Sequence, residues 1–431
     1  MKGVGAFGEL GLSIVGVASQ YPPHNLKSDS LDAISKKFYP ESPAMKKVLS
    51  INRFTGIEFR SSIGPSDHPL VNREKPPSIK ELNDFYLSDG VPLAIKAAKK
   101  AINEAGISLE DITHVVSTTC TNSANPGFDH FVVKGLGIRQ QVEKVLLHGI
   151  GCSGGLAALR TAANLALGHK ARGIPARILC LALELSTPMV RSELESINEL
   201  QETRIGVALF SDCASALILS NGIGNSPPPI YELLGWDHKI LPDTESDLGF
   251  DVDPLGWKVV LSQRVPKLAV SYLKPAFSGL LSSLPPLPER YRLPEDFDWA
   301  MHPGGATILS GAEQVMGITP EHMRASYDTY INHGNSSSAT IYSVLNRLRE
   351  KEMDAVAPGG RARDYIIGCA FGPGISVEMC MLKRNMGLKD ISGLQTPPES
   401  ASEGSSEDGE ENIESDFDEF MREALAELEL D

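Results

Sequence analysis

The sequence predicts an α/β protein whose central sheet is buried on both faces. Three observations carry that expectation: short apolar runs without two-residue alternation, helix-forming runs set between them, and small-residue elbows where the chain enters a helix. In chain order, residues 92–106 (PLAIKAAKKAINEAG) read as a helix closed by glycine. Residues 112–120 (ITHVVSTTC), 143–149 (EKVLLHG), 176–183 (ARILCLAL) and 213–222 (CASALILSNG) read as strands. Residues 265–284 (VPKLAVSYLKPAFSGLLSSL) and 336–352 (SSSATIYSVLNRLREKE) read as helices in the second half. A short strand is expected before DWAMHPGG, and DYIIGCAFGPGISVEMCML reads as two strands around a glycine-proline loop. The two halves share a rhythm that suggests an internal duplication, without any closely repeated segment.

The segment HGIGCSGGLAALRTAANLALG, residues 148–168, places Cys152 between glycines at the mouth of an alanine- and leucine-rich run. A thiol at a helix start is favoured as thiolate by unpaired N–H groups and the helix dipole. Cysteine is also among the most buried residues, so a nucleophile aimed by the turn and a buried structural thiol both stand on local grounds. His302 in WAMHPGG and Asn335 in HGNSSSAT occupy similar small-residue elbows. Cysteine acyl chemistry needs a thiolate, an imidazole that moves protons and donors that hold an oxyanion, and Cys152, His302 and Asn335 supply that set. Taken singly, Asn335 could be a helix cap and His302 a satisfied core histidine, while His148 and His333 compete for the histidine role.

At 431 residues the chain is long enough for two domains or one duplicated unit, and 42% hydrophobic with 22% charged residues is ordinary for a globular protein. No basic leader with a cleavage site and no apolar run long enough for a bilayer is present, so a cytoplasmic location is expected. The six cysteines lack zinc spacing and are expected as free thiols. Of the net charge of -15, residues 396–431 carry -13, with fourteen acidic residues and Arg422 alone as base. Its opening is too polar to fold, while DFDEFMREALAELELD could form a short amphipathic helix. No basic stripe interleaved with aromatics is present, which argues against nucleic-acid binding.

Taken together, TGIEFR, GIGCSGGLAALR, ALFSDCASALI, WAMHPGG, HGNSSSAT and GCAFGPGISVE resemble type III polyketide synthases, the chalcone and stilbene synthase superfamily. Within it the chain is most similar to the fungal branch that makes alkylpyrones and alkylresorcinols, over roughly residues 10–384. The resemblance implies a thiolase fold of two αβαβα halves, here 1–225 and 226–386, followed by an acidic tail at 387–431. It implies a homodimer, a triad of Cys152, His302 and Asn335, acyl-CoA and malonyl-CoA as substrates, and no metal or redox cofactor. Pocket positions carried over are Cys120, Thr121, Asn125, Ser186, Phe210, Gly256, Val259, Ser337, Gly372 and Pro373. CoA contacts map to Lys46, Lys47, Arg53, Gly304, Gly305 and Thr307. In plant members a second phenylalanine stands where this chain has Val259, and Asn125 replaces a methionine that reaches in from the partner subunit. That pocket suits a fatty acyl starter better than an aromatic one, with alkylpyrones, and alkylresorcinols or resorcylic acids, as products. The alternatives are a ketoacyl synthase III-like condensing enzyme and a thiolase, for which Cys369 would be the second active cysteine.

Overall fold

The structure, a computed structural model, describes residues 7–224, 227–253 and 256–387. Met1–Met386 cluster as one compact unit. Apart from Gly387, the acidic tail lies outside the described residues, and so does its terminal amphipathic segment.

Nine strands build one mixed sheet. They are β1 (Leu12–Gln20), β2 (His114–Thr119), β3 (Glu143–His148), β4 (Arg177–Glu184), β5 (Cys213–Ser220), β6 (Tyr231–Ile240), β7 (Asp298–Met301), β8 (Tyr365–Gly372) and β9 (Ser376–Arg384). Their order across the sheet is β7-β8-β9-β6-β1-β5-β4-β2-β3. On one side β2 is parallel to β4, β4 antiparallel to β5, and β5 antiparallel to β1. On the other, β7 is parallel to β8, β8 antiparallel to β9, and β9 antiparallel to β6. The same sequence of directions thus occurs twice, and β1 and β6 join the two series antiparallel at the centre.

The apolar strands are buried as their lack of alternation predicts: every residue of β2, β4, β5, β7 and β8 is buried. The edge strand β3 departs from this, with Glu143 and Lys144 exposed and Val145, Leu146 and Leu147 half-buried. On one face helix α1 (Val91–Ala105) lays fully buried Ala94, Ala97, Ala98 and Ala101 against the sheet. The approach is so close that a Cβ at Gly16 of β1 would lie 2.1 Å from the Ala101 carbonyl oxygen, which only glycine tolerates. On the other face helix α2 (Gly154–Ala171) buries Leu156, Leu159 and Ala162 beside Ile341, Val344 and Leu345.

Two helices expected as continuous are broken. The run at 265–284 forms Val265–Ser271 and Leu273–Ser283, because Pro275 has no N–H for the Ser271 carbonyl and its ring crowds that carbonyl. The run after Asn335 begins as a 3₁₀ turn, Ser337–Ala339, before helix Thr340–Leu348, and a separate short helix spans Lys351–Ala355.

Candidate active site

Cys152 lies in a single 3₁₀ turn, Gly151–Ser153, between the end of β3 and the start of α2. Gly151 has φ +60°, and a Cβ there would stand 2.5 Å from Pro373 Cδ, so the elbow must be glycine for conformation and for space. Gly372 and Pro373 therefore brace the nucleophile turn. Ser153 Oγ and Ser376 Oγ are 3.1 Å apart, and one turn into α2 Arg160 grips buried Glu378 at 2.7 and 2.9 Å. The motifs GIGCSGGLAALR and GCAFGPGISVE are thus the two sides of one packed joint.

His302 follows β7, and its N–H donates to the Cys369 carbonyl at 2.7 Å, which extends the β7–β8 ladder by one step. Its ring is buried, and neither nitrogen has a hydrogen-bond partner among the described residues. Nε2 passes 3.9 Å from the position a Cβ would occupy at Gly304. The Asn335 amide donates to the Gly304 carbonyl at 3.3 Å and accepts from the Ser337 N–H at 2.8 Å. The same amide hydrogen-bonds the Cys152 thiol. Asn335 therefore touches the thiol on one side and, on the other, the loop that borders His302.

Burial pushes the Cys152 thiol up to about 11, against hydrogen bonds from Ser337 and Asn335 that favour the thiolate. Burial alone pulls His302 down to about 3. The resting pair is therefore a thiol and a neutral imidazole with free lone-pair capacity, and a proton moving from sulfur to that ring would leave a nucleophilic thiolate. One N–H of Asn335 is committed to Gly304, and the other, at the Cys152 thiol, is placed to meet an oxyanion that develops beside the sulfur.

Behind the thiol stands Glu184, a fully buried carboxylate at the end of β4 that sequence reasoning missed. It accepts from the Cys120 and Thr121 N–H groups at 3.1 and 3.2 Å, from the Thr121 hydroxyl at 2.8 Å, and from Ser338. Cys120 Sγ lies 3.3 Å from Ser337 Oγ. Cys120, Thr121 and Ser337 thus share one hydrogen-bonded network. Burial raises the Glu184 carboxyl above the usual carboxylate range. The signal was in the sequence: an acidic residue ending the apolar run ARILCLALE.

A second group forms beside it. Asp212 of ALFSDC accepts from the Ser186, Thr187 and Ile63 N–H groups at 2.6, 2.8 and 2.8 Å, while Arg60 of TGIEFR caps the Ala208 carbonyl. Ser186, Phe210 and Val259 line a cavity open to solvent, with Leu31, Ile34 and Met189. Gly256 pairs with Asp253 at the end of a hairpin formed by Leu248–Asp253 and Gly256–Leu261. Phe250 lies opposite Val259 in that hairpin, with its ring 6.4 Å from that of Phe210. The ring absent at 259 thus has a neighbouring substitute that offset counting overlooked.

Of the other sequence candidates, Gly304, Gly305 and Thr307 lie at the site and the rest fall apart from it. Asn125 is exposed, on the loop after β2. Lys46 and Lys47 are exposed on helix Pro43–Arg53; Lys46 pairs with Glu41 at 2.9 Å and Arg53 with Asp32 at 2.6 Å. Gly304, Gly305 and Thr307 lie next to His302, at the start of helix Ala306–Met316. His148 Nε2 is held by the Asn122 carbonyl at 2.6 Å, and His333 stacks on Tyr21 at 3.5 Å with Nδ1 on Ser61, so neither competes with His302. Cys369 is packed in the core, its thiol pushed up by burial, which removes it as a second active cysteine.

Comparison with known proteins decides the family. The model for the N-terminal domain of chalcone and stilbene synthases matches residues 45–224, and that for the C-terminal domain matches 232–386. The chain belongs to the chalcone and stilbene synthase family. It is similar to acylalkylpyrone synthase csyB of Aspergillus oryzae, at 39% identity over 86% of this chain and 94% of the relative. A type III pentaketide synthase from Neurospora crassa is 70% identical with a TM-score of 0.86, and the fungal type III polyketide synthase ORAS is 71% identical with a TM-score of 0.87. Each solved structure covers 87% of this chain and is itself matched over 100% of its length. The architecture is accordingly the αβαβα thiolase fold. This chalcone and stilbene synthase relative is a fungal-type type III polyketide synthase, an acyltransferase that extends an acyl-CoA starter with malonyl-CoA. Among the described residues no helix is long and apolar enough to cross a membrane.

Proposed function

We propose that this synthase loads a fatty acyl-CoA on Cys152 and extends it by decarboxylative Claisen condensation to alkylpyrones, with alkylresorcinols or resorcylic acids where the chain closes by aldol reaction. The supporting observation is the cavity beside Phe210, whose walls at Leu31, Ile34, Met189 and Val259 are aliphatic. Each methylene it buries contributes about 0.8 kcal/mol, so a long chain gains affinity that acetyl cannot. The printed activity of the A. oryzae relative, acylalkylpyrone synthesis, agrees with this reading.

In the first half-reaction Cys152 attacks the starter thioester, His302 takes the thiol proton, and CoA leaves as the thiol. In the second, with the sulfur acylated, His302 and the Asn335 N–H that faced the thiol hold the malonyl thioester oxygen while CO₂ departs, so charge is met where it develops. The enolate carbon then attacks the acyl-enzyme, and the lengthened chain returns to Cys152. Gly304, Gly305 and Thr307 are the positions for the pantetheine arm, because they flank His302. Lys47 would meet the CoA phosphates, with Lys46 and Arg53 joining it by giving up Glu41 and Asp32. The unpaired edge of β3, with Val145, Leu146 and Leu147 half-buried, supports a homodimer through that strand.

Incubation with malonyl-CoA and acyl-CoAs of graded length tests the reading. Product masses that rise with starter length, at rates above those for acetyl-CoA and p-coumaroyl-CoA, are expected. Preference for either small or aromatic starter would overturn it.

A further inference from the structure

At the far end of the sheet from Cys120, three donors converge that the condensation chemistry does not use. His114 opens β2, Glu143 opens β3 directly opposite it in the parallel ladder, and His169 lies in the last turn of α2. One ligand atom from each lies within 4.8 Å of the other two. The imidazole rings meet edge to face, with centroids 4.6 Å apart, and His114 Nε2 is 3.7 Å from the Glu143 carboxylate.

We propose that His114, His169 and Glu143 form a binding site for a divalent transition metal, with Zn²⁺ as the ion their donors suit. The argument rests on which nitrogens are already spoken for. His169 Nδ1 faces the Pro175 carbonyl at 3.3 Å, an acceptor only, so Nδ1 carries the proton and Nε2 is left as the lone pair. His114 Nδ1 is 2.8 Å from Thr113 Oγ1 and is engaged there, so Nε2, 3.7 Å from the Glu143 carboxylate, is the nitrogen turned toward the cluster. Metal-bound histidines are typically held in this way, with the second nitrogen anchored to a neighbouring oxygen that fixes tautomer and ring orientation.

The surroundings agree with a cation. The carbonyl end of the α2 dipole lies at His169 and favours positive charge. Arg139 opposes it, and the Glu143 carboxylate offsets that repulsion. Two imidazoles and one carboxylate, with water in the fourth position, form a set that Zn²⁺ accepts in tetrahedral geometry. Ligand atoms around tetrahedral zinc stand roughly 3.3 Å apart, so closure requires the exposed Glu143 side chain to swing in by an ångström or so. Helix α2 begins beside Cys152, some 25 Å away at about 1.5 Å per residue, so the ion would tie α2 to the start of β2 and β3 rather than take part in condensation.

The test uses the chelator-treated, full-length enzyme with Zn²⁺ and Co²⁺ as probes. One Zn²⁺ per chain should bind and raise the melting temperature, and the Co²⁺ complex should lack a thiolate charge-transfer band. His169→Ala and Glu143→Gln, both far from Cys152, should each weaken Zn²⁺ at least about 100-fold while condensation persists. Absence of zinc binding by the wild-type enzyme, unchanged affinity in either variant, or a thiolate band that traces the metal to cysteine would overturn the proposal.

Discussion

Asn335 and Phe210 are joined by one isolated parallel β-bridge: the Asn335 N–H donates to the Leu209 carbonyl at 3.0 Å, and the Asn335 carbonyl accepts from the Ser211 N–H at 2.9 Å. The residue that touches the Cys152 thiol and the residue that lines the aliphatic cavity are therefore fixed by one piece of backbone. A change in side chain at 335 should leave that bridge standing, which makes the position a clean probe of chemistry.

Asn335→Ala should lower malonyl-CoA decarboxylation by about 10²–10³-fold, the usual effect of losing one oxyanion donor, while starter loading falls much less. Release of labelled CO₂ and single-turnover acylation measure the two steps separately. Equal losses would assign Asn335 a purely structural role, through its bonds to Gly304 and Ser337.

Cys152→Ala should abolish the covalent acyl adduct without unfolding the elbow, because Gly151, Pro373 and the Arg160–Glu378 pair hold the turn independently of the thiol. Intact-protein mass spectrometry after a pulse of long-chain acyl-CoA should show the adduct in wild type only. An adduct that persists in the variant would move the nucleophile elsewhere.

Glu193 gives a pH prediction. Its buried carboxyl faces the cavity lining, accepts from the Val259 N–H at 2.7 Å through one oxygen, and has no partner for the other among the described residues. Burial raises it to about 7, partly opposed by the Val259 bond and by Arg204 and Lys258. A carboxyl raised on folding leaves stability intact below its unfolded value near 4.5 and removes it as pH climbs through about 7. Glu193→Gln should therefore stabilise the enzyme at pH 8 by up to about 3 kcal/mol and by little at pH 4.5, read from denaturant midpoints. A stability gain that does not grow with pH would contradict it.

The strands were legible because burial on both faces leaves 112–120, 176–183 and 213–222 rich in apolar and β-branched residues with Arg177 as the one formal charge, a pattern that survives without tertiary information. Cys152, His302 and Asn335 were legible because close backbone approach demands the small residues around them, as Gly151 against Pro373 illustrates. Glu184 was not, since its meaning comes from donors at 120, 121 and 338 that meet only in space. Phe250 was missed for a related reason. Hairpin register, which sets it opposite Val259, depends on a turn that single-sequence counting does not fix.

The most exposed prediction concerns starter length, because it tests whether the cavity beside Phe210 receives the acyl chain. Ser186 lies on its wall with its N–H held by Asp212 at 2.6 Å, so a larger side chain at 186 must project from a fixed backbone. Ser186→Phe should shift preference toward short starters or reduce the number of extensions, at an overpacking cost of about 1–3 kcal/mol that thermal melting will show. Val252→Phe, on the exposed face of the hairpin and outside the lining, should leave selectivity unchanged and serves as the control. If Ser186→Phe folds and keeps the wild-type preference, the chain lies elsewhere; if Val252→Phe alters it, the hairpin rather than the 186 wall shapes the channel. Only selectivity that moves with 186 and ignores 252 assigns the fatty acyl chain to this cavity.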